Sequence, residues 1–163
     1  MSPKARIFWP LAALVVLADC TTKALVVDHF SPAHVPHDVI GSALRVTLAY
    51  NTGMATGIDW GSWSRPLLIL MTVVSLVVLW QLYRRALPTA RALAIALALV
   101  CGGAIGNLLD RVMSTRGVVD FIDVGVGAHR FWTFNVADAG ITVGALLLAV
   151  MLSRSERTRA RDT

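Results

Sequence analysis

The stretch PLLILMTVVSLVVLWQL, Pro66 to Leu82, contains no charged residue. A helix rising 1.5 Å per residue needs roughly 20 apolar residues to cross a hydrocarbon core of about 30 Å. The segment therefore reads as a transmembrane helix, and three others resemble it: Ile7 to Val27, Ala92 to Leu109 and Phe134 to Leu152. Trp60 and Trp63, just ahead of the second span, suit the aromatic belt at headgroup level. Of the 163 residues, 56% are hydrophobic and only 15% charged, whereas soluble domains run nearer one-quarter charged. A disordered chain would be poor in apolar residues, so disorder is excluded as well. The fold expected is a single integral membrane domain over 1–163, mainly α, with four transmembrane helices. Outside loops are expected at about 28–65 and 110–133.

Charge placement gives the orientation. Lys4, Arg6, Arg84, Arg85, Arg91, Arg154, Arg157, Arg159 and Arg161 lie on one side of the four spans, and Arg45, Arg65, Arg111, Arg116 and Arg130 on the other. Short cytoplasmic segments carry the excess of Lys and Arg, which puts both termini in the cytoplasm. The formal charge of +5 does not imply nucleic acid, because no basic groove or interleaved aromatic set accompanies it. Cys20 and Cys101 sit inside apolar segments and read as small packing residues. The run Leu17-Ala18-Asp19-Cys20 resembles a lipoprotein cleavage box, but Asp19 occupies a position that calls for a small uncharged residue. The first span is thus read as a retained helix.

In Ala43 to Tyr50, apolar Leu44, Val46, Leu48 and Tyr50 alternate with Arg45, Thr47 and Ala49, the period of a half-buried strand. A β-branched run around Val118 to Val124 occupies the loop between spans three and four, so a small sheet lying on the outer membrane surface is expected. A small β-structured cradle on the outer, periplasmic surface is expected between helices 1 and 2, with the second outside loop between helices 3 and 4.

Polar groups at bilayer depth are costly, so they face protein or a wet cavity. Asp19 and Lys23 are spaced i, i+4 and read as a structural ion pair, with Lys23 able to snorkel outward. Asn51-Thr52-Gly53-Met54-Ala55 reads alone as a turn. Ala98, Gly102 and Gly106 form a smooth stripe for close helix packing, as do Ala137, Gly140 and Gly144. Asn107 and Arg111 share an adjacent face, where Arg111 serves as an anchor or holds a carboxylate or lipid phosphate. Asp120 and Asp123 lie in an apolar run, and Asp138 sits about one turn into the fourth span beside Asn135. Two acids meeting at the membrane edge in low dielectric would share one proton. The ionised acid takes a proton from water while the other polarises a peptide carbonyl, which is general acid–base hydrolysis. Spacing alone leaves Asp120 and Asp123 equally eligible. No Ser-His or Cys-His pairing supplies a nucleophile. His29, His34, His37 and His129 lack zinc-site spacing, so no metal or cofactor is expected.

Five blocks, in order, carry a resemblance. They are Asp19-Cys20-Thr21-Thr22-Lys23, Asn51-Thr52-Gly53-Met54-Ala55, Gly102-Gly103-Ala104-Ile105-Gly106-Asn107-Leu108-Leu109-Asp110-Arg111, Val118-Val119-Asp120-Phe121 and Phe134-Asn135-Val136-Ala137-Asp138. The set resembles the bacterial lipoprotein signal peptidase (signal peptidase II) family. The resemblance implies a multi-pass aspartyl endopeptidase of the cytoplasmic (inner) membrane with its active site on the periplasmic side. Such an enzyme removes signal peptides from prolipoproteins by cutting just before the diacylglyceryl-modified cysteine. It further implies Asp120 and Asp138 as the catalytic acids, and Asn51, Gly53, Asn107, Arg111, Asn135 and Ala137 as binding or supporting positions. Implied partners are prolipoproteins, membrane lipids and globomycin-type inhibitors; a monomer is expected. Thr56 departs from the pattern, since many members have an aromatic residue there.

Two rival readings remain. A small ion- or proton-coupled transporter would use Asp19, Lys23 and Asp138 as a relay. A non-enzymatic scaffold would use its polar residues only to lock helices together.

Overall fold

The computed structural model describes residues 1–53 and 61–159, with the side chains of Ser62 and of 155–159 left out. Met54, Ala55, Thr56 and Trp60 of the sequence motifs lie outside the described residues, as does Arg161 of the basic tail. The four helices are α1 (Pro3–His29), α2 (Ser64–Arg85), α3 (Arg91–Met113) and α4 (Val136–Arg159). All four are long and apolar enough to cross a membrane. Four strands stand at one end of the bundle: β1 (Pro36–Ile40), β2 (Leu44–Asn51), β3 (Val118–Val126) and β4 (His129–Arg130).

Helix α3 is the centre because its glycines let backbones come close. A β-carbon at Gly102 would stand 2.9 Å from the carbonyl oxygen of Ala12 and from Val15 of α1. At Gly103 it would run into the Ala137 carbonyl of α4, and at Gly144 it would meet the Ala96 carbonyl at 2.7 Å. Small residues thus serve two different contacts on α3, one toward α1 and one toward α4, as expected where lipid offers no hydrophobic drive and packing must hold helices together. Ala96, Leu97 and Ala98 are fully buried in consequence. Helix α2 is the lipid-exposed member; only Tyr83 on it is buried. The Lys4 ammonium holds the opposite end of the bundle. It donates to the carbonyls of Tyr83 at 2.7 Å and Ala86 at 2.6 Å, capping α2, and lies 4.7 Å from the Tyr83 ring centre.

The two outside segments together form the small sheet expected on the outer surface. Its order is β1-β2-β3-β4, and β2 pairs antiparallel with β3, setting Ala49 opposite Asp120 and Asn51 opposite Val118. Leu48, Val119 and Phe121 bury against Val26 at the end of α1. Beyond β4 the chain returns to the sheet: the amides of Phe121 and Ile122 both donate to the Phe134 carbonyl, at 3.0 and 2.7 Å. Asn135 is therefore delivered beside β3, just before α4 begins. Cys101 is buried, as a packing residue should be, but Cys20 is exposed, on the wall of a cavity that it lines with Lys23, Leu109 and Asp110.

Candidate active site

Asn135 lies outside the helix that the sequence assigned it to. It caps α4: its Oδ1 accepts from the Asp138 amide at 2.9 Å, while Asp138 Oδ2 accepts from the Asn135 amide at 3.3 Å. This is a capping box, with an aspartate in the position that Glu or Gln usually fills. An acid in the first turn is further favoured by the exposed amides there. The cap explains the spacing of three between Asn135 and Asp138 better than a shared helix face does.

A backbone amide can only donate, so the oxygen of Asn135 must face the Asp138 amide and its nitrogen must face the other way. That nitrogen lies 2.7 Å from Asp120 Oδ1, 3.1 Å from Asn107 Oδ1 and 3.2 Å from the Val119 carbonyl. Asn107 in turn donates from Nδ2 to Asp138 Oδ1 at 2.7 Å. Asp120 and Asp138, far apart in sequence, are thus brought to two touching amides, one for each carboxylate. Asp120 is buried, at 3% exposure. Burial pushes its carboxyl up to about 6. The nearby Asp138 charge adds to the rise, and hydrogen bonds from the Asn51 and Asn135 side chains oppose it.

The other sequence-selected residues fall around this pair. Asn51 closes β2, and its Oδ1 accepts from the Gly53 amide at 2.8 Å. Gly53 has φ +100 and leaves no room for a β-carbon against Leu68, so this turn requires glycine. Arg111 couples electrostatically to Asp138, Asp120 and Asp110, and donates to the Asn107 carbonyl at 3.3 Å. Ala137 is fully buried between α3 and α4, and its amide donates to Asp19 Oδ1 at 2.9 Å; it reaches the acids only through the chain. A cavity of about 580 Å³ opens beside Asp138, walled by Asn51, Phe131, Trp132, Phe134, Thr142 and Val143. Asp123 is directed elsewhere. Its Oδ1 accepts from Arg130 at 2.7 and 2.8 Å and its Oδ2 from Thr47 at 3.0 Å, which ties it into the sheet. Odd spacing along β3 puts residues 120 and 123 on opposite faces, and of the two it is Asp120 that meets the Asn135 amide.

The family model described as signal peptidase (SPase) II matches residues 11–154. The chain belongs to the signal peptidase II family. It is 34% identical over 163 residues to a lipoprotein signal peptidase of Geobacter metallireducens, covering 99% of each chain. It is 42% identical over 160 residues to one from Pseudomonas putida, covering 94% of this chain and 91% of the other. Among solved structures it is similar to a bacterial membrane enzyme determined by the in meso method at 1.9 Å resolution. The TM-score is 0.76 at 31% identity, covering 87% of this chain and 89% of that one. Peptidase membership and the four-helix, multi-pass membrane architecture follow directly.

Membership in a peptidase family displaces the transporter reading, and the geometry gives that reading no support. Lys23 does not snorkel. It is buried, at 3% exposure, and its ammonium spends its three N–H groups on Asp19 at 2.7 Å, Asp110 at 2.9 Å and Asn107 at 3.0 Å. Charges bound to one another in this way read as a structural cluster, at the edge of a second cavity of about 600 Å³ that Lys23 and Asp110 help to line. Two contributors escaped the sequence reading. Asp110 takes both Lys23 and the Val119 amide, at 3.0 Å, and so ties β3 to α3. Arg65 donates to the carbonyls of Arg111 and Val112 at the end of α3, at 2.6 and 3.0 Å. The Asp110 signal was available, since it follows Asn107 by one helical turn; Arg65 gave none.

Proposed function

We propose that this member of the signal peptidase II family is an aspartyl endopeptidase of the bacterial inner membrane, working at the periplasmic end of the bundle. Its substrates are prolipoproteins, cut just before the diacylglyceryl-modified cysteine, and Asp120 and Asp138 are the catalytic acids. The observation that carries the reading is the pair of touching amides, Asn107 and Asn135, each donating to one of the two carboxylates.

The two acids have unlike roles in this reading. Both hydrogen bonds to Asp138 come from groups that can only donate, the Asn107 amide nitrogen and the Asn135 backbone. Asp138 is therefore the acceptor, the base that takes a proton from water. Asp120, pushed up to about 6 by burial, keeps its proton nearer neutrality than a free aspartate does, and gives it to the peptide carbonyl oxygen. Water oxygen bonds to the carbonyl carbon, the C–N bond breaks, and the proton held by Asp138 passes to the departing nitrogen. Asp120 recovers its own proton as the carbonyl re-forms.

The cavity beside Asp138 has aromatic walls from Phe131, Trp132 and Phe134. Trp132 and Phe131 are also exposed, at 70% and 53%, which suits a rim bathed in outer-leaflet lipid. A substrate whose lipid stays in the membrane and whose signal helix spans it presents its scissile bond at this depth. The same cavity is the site at which a globomycin-type cyclic peptide would compete, and the enzyme is taken to act as a monomer. The excess of basic residues at the other end puts both termini in the cytoplasm. The test is cleavage of a diacylglyceryl-modified prolipoprotein by the parent enzyme and by Asp120→Asn and Asp138→Asn. Inserted but inactive variants support the dyad; normal cleavage by either refutes it.

A further inference from the structure

Lys23 stands on α1, outside the pair of acids, and its pairing with Asp19 accounts for only one of its three hydrogen bonds. The third, to Asn107 Oδ1 at 3.0 Å, has a consequence at the site. The two ends of an asparagine amide are nearly equal in size, so the groups around Asn107 decide which end faces Asp138 and how firmly it is held there. An ammonium has donors and no acceptor, so only the amide oxygen can face it. With that oxygen committed to Lys23, the nitrogen must point the other way, where it meets Asp138 Oδ1 at 2.7 Å. The same oxygen takes the Asn135 nitrogen at 3.1 Å, so the second amide is aligned with the first. Lys23 is itself fixed, because Asp19 and Asp110 hold its remaining two hydrogens. Gly106 admits this arrangement: a β-carbon there would stand 2.5 Å from Asp19 Oδ2.

We propose that Lys23 is a positioning residue for the reaction, fixing through the Asn107 amide the orientation in which Asp138 meets water. The inference rests on the dyad reading above and assigns Lys23 no contact with substrate. It differs from a purely structural role in one measurable respect. A structural lysine sets how much enzyme folds. A positioning lysine also sets the turnover of each folded molecule, and does so only through Asn107.

The test uses purified, folded full-length enzyme in lipid and a diacylglyceryl-modified prolipoprotein, with kcat and KM expressed per folded enzyme. Lys23→Gln replaces the ammonium by a neutral amide that can accept as well as donate, so the Asn107 oxygen loses its charged donor and keeps only the Asn135 nitrogen to hold it. The expected result is a fall in kcat of about ten-fold or more, the weight of one charge-assisted hydrogen bond, with KM within about two-fold of the parent. Asn107→Ala removes the group through which Lys23 acts, and the double variant should turn over no more slowly than Asn107→Ala alone. Losses that multiply in the double variant, or a Lys23→Gln enzyme with parental kcat, would overturn the proposal. If Lys23→Gln does not fold because Asp19 and Asp110 are left without their cation, the Asp19→Asn/Lys23→Gln variant removes charge from both partners, with the same expectations. Continued cleavage by Asp120→Asn and Asp138→Asn would sink the dyad reading itself; inactive dyad variants beside an unaffected Lys23→Gln enzyme would sink only this inference.

Discussion

Asn107 separates two acidic regions that differ in what holds their carboxylates. On its α1 side, Asp19 and Asp110 share the Lys23 ammonium, at 2.7 and 2.9 Å, and Asp19 also takes a backbone amide. On its α4 side, Asp120 and Asp138 are held by neutral amides, with a cavity of about 580 Å³ at their edge. A buried acid locked to a cation has its oxygens committed to a structural contact. An acid held by neutral amides has no opposite charge bound to it. Position at the membrane edge is common to both regions, so on the proposed dyad it is the partners, not the depth, that separate a structural acid from a reactive one.

The largest effect should come from the amide-held pair. On the proposed dyad, Asp120→Asn or Asp138→Asn removes general acid or general base catalysis, a term of roughly 10²–10⁴ in rate. Prolipoprotein cleavage by either variant should fall to the limit of the assay while the protein still inserts. The ion-paired region should respond in the opposite currency. Asp19→Ala leaves the Ala137 amide without its acceptor and Lys23 with one carboxylate fewer. Breaking a buried pair from one side costs about 3–5 kcal/mol, so thermal unfolding of the lipid-reconstituted protein should shift down sharply. A variant that unfolds like the parent would contradict the assignment.

Stability gives a further contrast, smaller and of opposite sign. The Asp120 carboxyl is raised from its ordinary 3.8 to about 6. Below 3.8 it is protonated in both folded and unfolded chains. As pH rises from about 4 to 6 the unfolded chain gives up its proton first, so this group lowers folding stability across that window. The loss then persists at neutral pH, at on the order of 2–3 kcal/mol. Asp120→Asn should remove that slope, leaving an inactive enzyme that melts above the parent at pH 7 and no higher at pH 4. An equal melting shift at both pH values would show that burial is not what raises the group. Gly106→Ala belongs next in order. The added methyl crowds the Asp19 carboxylate, and overpacking of this kind costs about 1–3 kcal/mol, seen as a lower unfolding midpoint.

How far the sequence discloses all this depends on which solvent wrote the signal. The helices are legible because lipid demands a long uncharged run, and Pro66 to Leu82 satisfies that demand by itself. Strand β2 is legible from its alternation, with an offset of one residue at each end. Strand β1 is not, because every residue from Pro36 to Ile40 is exposed and no buried face imposes a period. The small sheet is expected from the two outside runs, but the register of β2 against β3 is not legible, since pairing across about 70 residues of chain leaves no local trace. At the site, the identities of Asn107, Asn135 and Asp138 are visible, but their roles are not. Asn135 looks helical until the capping box shows that the helix starts after it. Lys23 looks like a residue reaching for the surface until three acceptors are found beside it in the interior.

The smallest effect separates two acids three residues apart on one strand. Asp123 resembles Asp120 in burial, at 8% against 3%, and in its apolar neighbours. Its partners differ: the Arg130 guanidinium at 2.7 Å and the Thr47 hydroxyl at 3.0 Å occupy its two oxygens. Asp123→Asn should weaken that contact and cost about 1 kcal/mol of folding stability, the net contribution of a typical hydrogen bond. Each folded molecule should still cleave its prolipoprotein at close to the parental rate. Burial alone would make the two acids equivalent, so a loss of kcat in Asp123→Asn comparable to that in Asp120→Asn would mean that partner chemistry is not what distinguishes them. A small melting shift with intact turnover would place the distinction where the geometry puts it, in whether the carboxylate has already been claimed by a cation.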